Sequence, residues 1–291
     1  MEGDVGGGLN LKEVARDLGV HYMTAYRYVR QGRLPATWVD NSWLISDVDL
    51  AAFRSRGMPA APAISPAPSG DGTSSTDVDW ASRLLGHLTS GDETAAWSVI
   101  ESALAAGVDA RGCYLDVLSG AMASLGTDWD TPTEDNLVDE RLATATALRL
   151  VHRLGARFSR PGRRRGTVLL GAPVGERHTL PVAIAADLIR LAGFNVLELG
   201  ADVPAATFVA AAQRTPRLVA VGISLTTASG IDGALDIRRR LADELPDVAV
   251  LVGGQAVANP TVAEMFGSDG WAADGGDLVT VLCDLAAKRR R

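Results

Sequence analysis

The sequence predicts a multi-domain α plus α/β protein, and three observations predict it. Strands and helices alternate through residues 166–291. A helical period alone fills residues 79–160. Two short helices joined by a tight turn, then a small hairpin, fit within residues 1–57. The expected order is a winged helix-turn-helix, a linker over 58–78, a four-helix bundle and a doubly wound parallel sheet.

Composition permits this. The chain has 291 residues, 47% of them hydrophobic, enough for two cores and a small module. Cys113 and Cys283 are its two cysteines and lie far apart. They suggest neither a disulfide framework nor a zinc site, and a reducing cytoplasm fits. The acidic, Gly-rich start is not a signal peptide, and no apolar run reaches membrane-spanning length, so no membrane partner is expected. A net charge of −7 excludes a wholly basic nucleic-acid coat but not a local basic face.

Asn10-x-x-Glu13 reads as an N-cap with its reciprocal acid, and Val14, Ala15 and Leu18 give the first helix an apolar face. A second helix is expected from about Tyr22 to Gln31. Thr37 to Ile45 alternates around Asp40-Asn41 like a wing, and Ser46-x-x-Asp49 caps a third helix. This stretch resembles the excisionase/MerR-type winged helix-turn-helix in Leu18-Gly19-Val20 and in the run from Tyr26 to Pro35. The resemblance implies that Ala25, Tyr28 and Val29 point inward and that Tyr22, Met23, Tyr26, Arg27 and Arg30 face a DNA major groove. Residues 1–57 carry seven acids and seven bases, yet 18–36 hold Arg27, Arg30 and Arg33 and no acid, as phosphate contact requires.

Four prolines and a run of Ser, Gly and Thr between Gly57 and Asp77 bury nothing and read as a mobile linker. Helices are expected over about 79–90, 93–106, 109–126 and 134–159, with stripes such as Leu84-Leu85-Leu88 and Leu115-Leu118-Met122 as core. Arg157, Arg160 and Arg163 to Arg165 read as a solvated hinge. Strands follow near 167–172, 195–199, 218–224, 248–252 and 270–273. Helices fall at about 179–192, 204–214, 231–244, 260–266 and 277–288. Runs such as Val248-Ala249-Val250-Leu251-Val252 suit strands buried on both faces, and the alternation suggests a flavodoxin-like strand order.

The loop after the first of these strands, Gly171 to Pro181, carries Glu176-x-His178 at the carboxyl edge, where ligands bind. An imidazole is a good transition-metal ligand, and a carboxylate at its other nitrogen fixes the tautomer. Glu176-x-His178 resembles the Asp-x-His-x-x-Gly signature of cobalamin-binding domains, with Glu for Asp and Pro181 for Gly. The resemblance implies His178 as lower ligand to cobalt and Glu176 as its partner. Ser224-Leu225-Thr226 and Gly253-Gly254 resemble two further elements of that family, where Ser224 and Thr226 hydroxyls would bond the cofactor's tail and the glycines would let it approach.

The helical segment then looks like the cap over the upper corrin face. Trp129 and Glu140 match the cap of light-sensing, adenosylcobalamin-dependent regulators, whereas Asp130 and Arg141 replace its two histidines. His152 is a spare imidazole. The resemblance implies a non-enzymatic, cytoplasmic, DNA-binding, light-responsive transcription regulator. It would hold adenosylcobalamin and form a homo-oligomer whose assembly changes with light or ligand. Two alternatives share the cofactor: a corrinoid methyl carrier of a methyltransferase system, and a dual-chromophore photoreceptor with a bilin beside cobalamin.

Overall fold

The computed structural model describes residues 9–18, 25, 28–29, 33–39, 42–55, 78–125, 134–158, 162, 164–257, 260–272 and 274–288. Tyr22, Tyr26, Arg27 and Arg30, nearly all of the expected linker, and Trp129 and Asp130 lie outside them.

In the N-terminal region, β1 (Leu9–Asn10) leads into α1 (Leu11–Leu18), and β2 (Thr37–Val39) and β3 (Ser42–Ile45) precede α2 (Asp47–Ser55). The start of α1 is closed reciprocally: Glu13 N–H donates to Asn10 Oδ1 at 3.0 Å, and Asn10 N–H donates to Glu13 Oε2 at 2.9 Å. The hairpin forms where the alternation placed it. The sequence did not show that β1 adds to β3 as a third antiparallel strand. Ala25, Tyr28 and Val29 are buried with Leu11, Val14 and Phe53.

The helical region begins with α3 (Trp80–Thr89) and α4 (Glu93–Ala105). Asp79 and Asp92 cap them by accepting from Ser82 N–H at 3.0 Å and Ala95 N–H at 2.9 Å. The expected third helix is broken into α5 (Ala110–Gly112), a π-helical turn (Cys113–Leu118) and α6 (Ser119–Leu125). The Tyr114 carbonyl accepts both the backbone N–H and, at 2.8 Å, the hydroxyl of Ser119, which holds the wide turn. The long α7 (Glu134–Phe158) packs Ala143, Ala147, Leu150 and Leu154 into the core. Its first turns leave Leu137, Val138 and Leu142 exposed.

The C-terminal part is a five-stranded parallel sheet of β4 (Thr167–Gly171), β5 (Asn195–Glu198), β6 (Leu218–Ser224), β7 (Ala249–Gly253) and β8 (Gly270–Ala272), in the order β5-β4-β6-β7-β8. This is the doubly wound order that the alternation suggested. Helices α8 (Thr179–Leu191) and α12 (Gly275–Lys288) share a core on one face. On the other lie α9 (Ala205–Arg214), α10 (Ile231–Glu244) and α11 (Pro260–Met265). Among the described residues, no helix is long and apolar enough to cross a membrane.

Helix α8 has two apolar faces. Val182, Ala186 and Ile189 meet the sheet. Leu180, Ala183, Ile184 and Leu188 complete the core of the helical region. Leu191, at the end of the helix, is exposed. The basic joint is only partly solvated. Arg165 stacks on Phe194 at 5.2 Å and donates to Cys283 Sγ at 3.0 Å, and Arg164 donates to the Arg190 carbonyl at 3.4 Å. The guanidinium groups find aromatic, sulfur and carbonyl partners there, while Arg165 stays exposed as a solvated hinge requires and Arg164 is half-buried.

Candidate functional site

The β4–α8 loop is pinned before it reaches its histidine. Pro173 bridges to Val203, Asp202 N–H donates to the Glu176 carbonyl at 2.8 Å, and Gly175 N–H donates to Asp202 Oδ1 at 2.9 Å. Gly175 has φ +88°, and a Cβ there would stand 2.2 Å from the Ser229 carbonyl oxygen. Only glycine fits this turn and this approach.

Glu176 is a fully buried carboxylate. Its Oε1 accepts the His178 backbone N–H at 3.0 Å and pairs with His178 Nδ1 at 2.5 Å. Its Oε2 accepts Thr226 N–H at 2.6 Å, Thr227 N–H at 2.7 Å and the Thr227 hydroxyl at 3.3 Å. Burial opposes the charge, but the hydrogen bonds from His178, Thr227 and Thr226 outweigh it and bring the carboxyl down to about 2.

His178 is the N-cap residue of α8, and its ring makes no cap hydrogen bond. With Nδ1 held by Glu176, Nε2 is left as the free ring nitrogen of a side chain 44% exposed. The Glu176 hydrogen bond raises the ring's pKa above its ordinary value, against the opposing effect of burial. Glu140 and Arg141 on α7 are close enough to act on it electrostatically, Glu140 upward and Arg141 downward. The start of α7 therefore lies near this ring. His152 is exposed farther along the same helix.

The other expected residues fall on the same sheet edge. Ser224 ends β6, buried, and its hydroxyl has no hydrogen-bond partner among the described residues. Gly253 ends β7. Gly254 has φ +110°, and a Cβ there would meet the Leu225 carbonyl oxygen at 2.2 Å. Thr226 contributes its backbone N–H to Glu176, a contact separate from the hydroxyl role that the resemblance implies. Thr227 was missed. Its hydroxyl touches Glu176 and, at 2.7 Å, Ser229 Oγ.

A corrinoid's cobalt would take a neutral ring nitrogen whose tautomer a second group fixes, and His178 with Glu176 beside it would supply one. Among the described residues, no cluster of three or more metal-ligating side chains exists.

A B12-binding domain matches residues 166–275, and a helix-turn-helix domain matches residues 9–58. The dimethylamine corrinoid protein 3 of Methanosarcina mazei is 30% identical over 124 residues, 42% of this chain and 73% of that protein. The chain belongs to the corrinoid protein family. Trimethylamine corrinoid protein 1 of Methanosarcina acetivorans is 26% identical over 196 residues, 66% of this chain and 90% of that protein. The Methanosarcina barkeri monomethylamine corrinoid protein has the same fold. Its structure matches with a TM-score of 0.59 at 19% identity, covering 69% of this chain and 96% of that one. The family match thus accounts for the sheet and the B12-binding domain, and a helix-turn-helix domain precedes them.

Proposed function

We propose that this chain carries a corrinoid on His178, beneath the helical region, and serves as a non-enzymatic carrier of the corrinoid's upper ligand, as a corrinoid methyl carrier does. The observation behind this is the buried Glu176 carboxylate, which orients the His178 ring and leaves Nε2 outward. Ser224, Gly253 and Gly254 would line the cofactor's tail. Leu137, Val138 and Leu142, exposed on the first turns of α7, would suit the apolar upper face of a corrin. When bound, the corrinoid supplies the cobalt–carbon chemistry. The chain's residues orient the ring, exclude water and hold a proton at His178 Nδ1. The names of the relatives favour this reading over the light-responsive one.

Electron paramagnetic resonance of the protein with cob(II)alamin tests the ligand. Coordination by His178 gives triplet nitrogen splitting that becomes doublets when the protein's histidines carry ¹⁵N. Splitting unchanged by the label would mean that the vitamin's own base stays on cobalt.

The helix-turn-helix match favours a second reading, in which corrinoid state governs DNA binding and assembly. Arg27 and Arg30 would contact phosphates, and Tyr22 and Tyr26 base edges. Adenosylcobalamin with light as stimulus rests on the resemblance of Trp129 and Glu140, and a bilin as second pigment on the two histidines that Asp130 and Arg141 replace. If Arg27, Arg30 and Arg33 each displace a counterion, log affinity falls against log salt with a slope near about −3, and Arg27→Ala flattens it by about 1. A salt-independent affinity would leave this module a protein-interaction unit. Methyl transfer from methylcobalamin on the protein to a thiol, assayed beside DNA binding, separates carrier from regulator.

A further inference from the structure

A buried acid that the cofactor site does not use joins the two halves of the cofactor-binding part. Asp187 on α8 has a side chain only 7% exposed. It accepts the hydroxyl of fully buried Tyr114 at 2.8 Å and the Arg190 guanidinium at 2.8 Å. Arg190 reaches on to Glu198 of edge strand β5 at 3.4 Å. Tyr114 sits in the π-helical turn, whose extra residue per turn re-aims side chains, and burial followed by Asp187 pushes its phenol well above the ordinary tyrosine range. It therefore stays a hydrogen-bond donor. At the same point α7 crosses α8 through Gly155, where a Cβ would lie 2.5 Å from Asp187 Oδ2.

This crossing is placed like a fulcrum. Along α8, His178 is about 13 Å from Asp187, and along α7, Glu140 is about 22 Å from Gly155, at ~1.5 Å per residue. The α7 arm carries Glu140 and Arg141 into electrostatic range of the His178 ring. The rest of the α7–α8 contact is apolar and tolerates sliding. The Tyr114–Asp187 hydrogen bond is directional and does not. A rotation of ~10° here would carry the start of α7 by about 4 Å across His178.

We propose that Tyr114, Asp187 and Gly155 form the fulcrum that sets the helical region over His178, with Tyr114 and Asp187 as positioning residues that govern access to the upper face of the site. The consequence for ligand access rests on the corrinoid reading; the fulcrum itself does not.

The test is a distance between nitroxide labels on Val138→Cys and Val174→Cys, both native side chains being exposed. It is made by double electron–electron resonance on the ligand-free full chain in a Cys283→Ser background. Cys113 is buried and its thiol is pushed up to about 11, so it escapes labelling. The parent should give one narrow distribution. Tyr114→Phe, which deletes one oxygen, and Gly155→Ala, which drives a methyl into the carboxylate, should each broaden or lengthen it by several ångström with helical circular dichroism unchanged. Distributions that superimpose on the parent, or that change only with loss of helix, would overturn the fulcrum. With hydroxocobalamin bound, cyanide should enter the upper face several-fold faster in Tyr114→Phe. If cobalamin binds none of these proteins while the distances still shift, the fulcrum stands and the cofactor reading falls.

Discussion

Glu176→Gln should lower the melting temperature of the ligand-free protein by about 6–12 °C. The carboxylate is fully buried and faces only donors: the His178 ring and N–H, and the Thr226 and Thr227 N–H groups. A carboxamide must turn one NH₂ toward them. That leaves buried donors unpaired at about 1–3 kcal/mol each and removes the charge that strengthened the rest. A loss of about 3 kcal/mol corresponds to that shift for a unit of this size. Glu176→Asp keeps the charge but shortens the reach by one methylene, so it should serve either His178 or the threonine amides and lose less. A Gln variant melting within 2 °C of the parent would show that the cluster is not what holds the loop.

The pH dependence follows from the same contacts. Glu176 is lowered from 4.5 to about 2, so its contribution is full above pH 4.5 and disappears as pH falls through about 2. His178 is raised above 6.5, so its contribution is full below pH 6.5 and is lost as pH rises through the raised value. The ligand-free protein should therefore be steadied by this pair most between roughly pH 4.5 and 6.5.

Much of this architecture was legible because it rests on local pattern. Continuous apolar runs such as Leu218 to Val221 suit a strand buried on both faces, and the alternation with helices then leaves few strand orders. Asn10-x-x-Glu13 predicted its own hydrogen bonds. What was missed depends on distance in sequence or on the backbone. Asp187 meets Tyr114 across 73 positions, and a lone acid on an amphipathic helix reads as solvated until its neighbours are placed. The π-helical turn has no signature of its own, since Cys113 to Leu118 suits an α-helix equally well. At the site, Glu176 and His178 were visible as a pair because two residues span one hydrogen-bonding reach. The threonine contacts to Glu176 were not visible, because main-chain N–H groups look alike at every position and the hydroxyl that touches Glu176 is that of Thr227, fifty-one positions away.

His178→Ala should weaken corrinoid binding by at least about 100-fold at pH 8, since loss of an outer partner of a metal-bound histidine alone costs about 10–100-fold. The pH profile is the sharper signature. Nε2 can serve cobalt only when the ring is neutral, so protons compete with the corrinoid for it. Glu176 raises the ring's pKa, so the competition begins above pH 6.5 rather than below it. In the parent, affinity should fall about tenfold per pH unit below that raised value. In His178→Ala, which has no ring to protonate, it should be flat over the same range. In Glu176→Gln the charge that raised the ring's pKa is gone, so the break should move to lower pH even as affinity falls. Equilibrium titration with hydroxocobalamin from pH 5 to 9 reads all three. A parent profile without a break, or the same slope in His178→Ala, would mean that the contact between protein and corrinoid is made elsewhere than at His178.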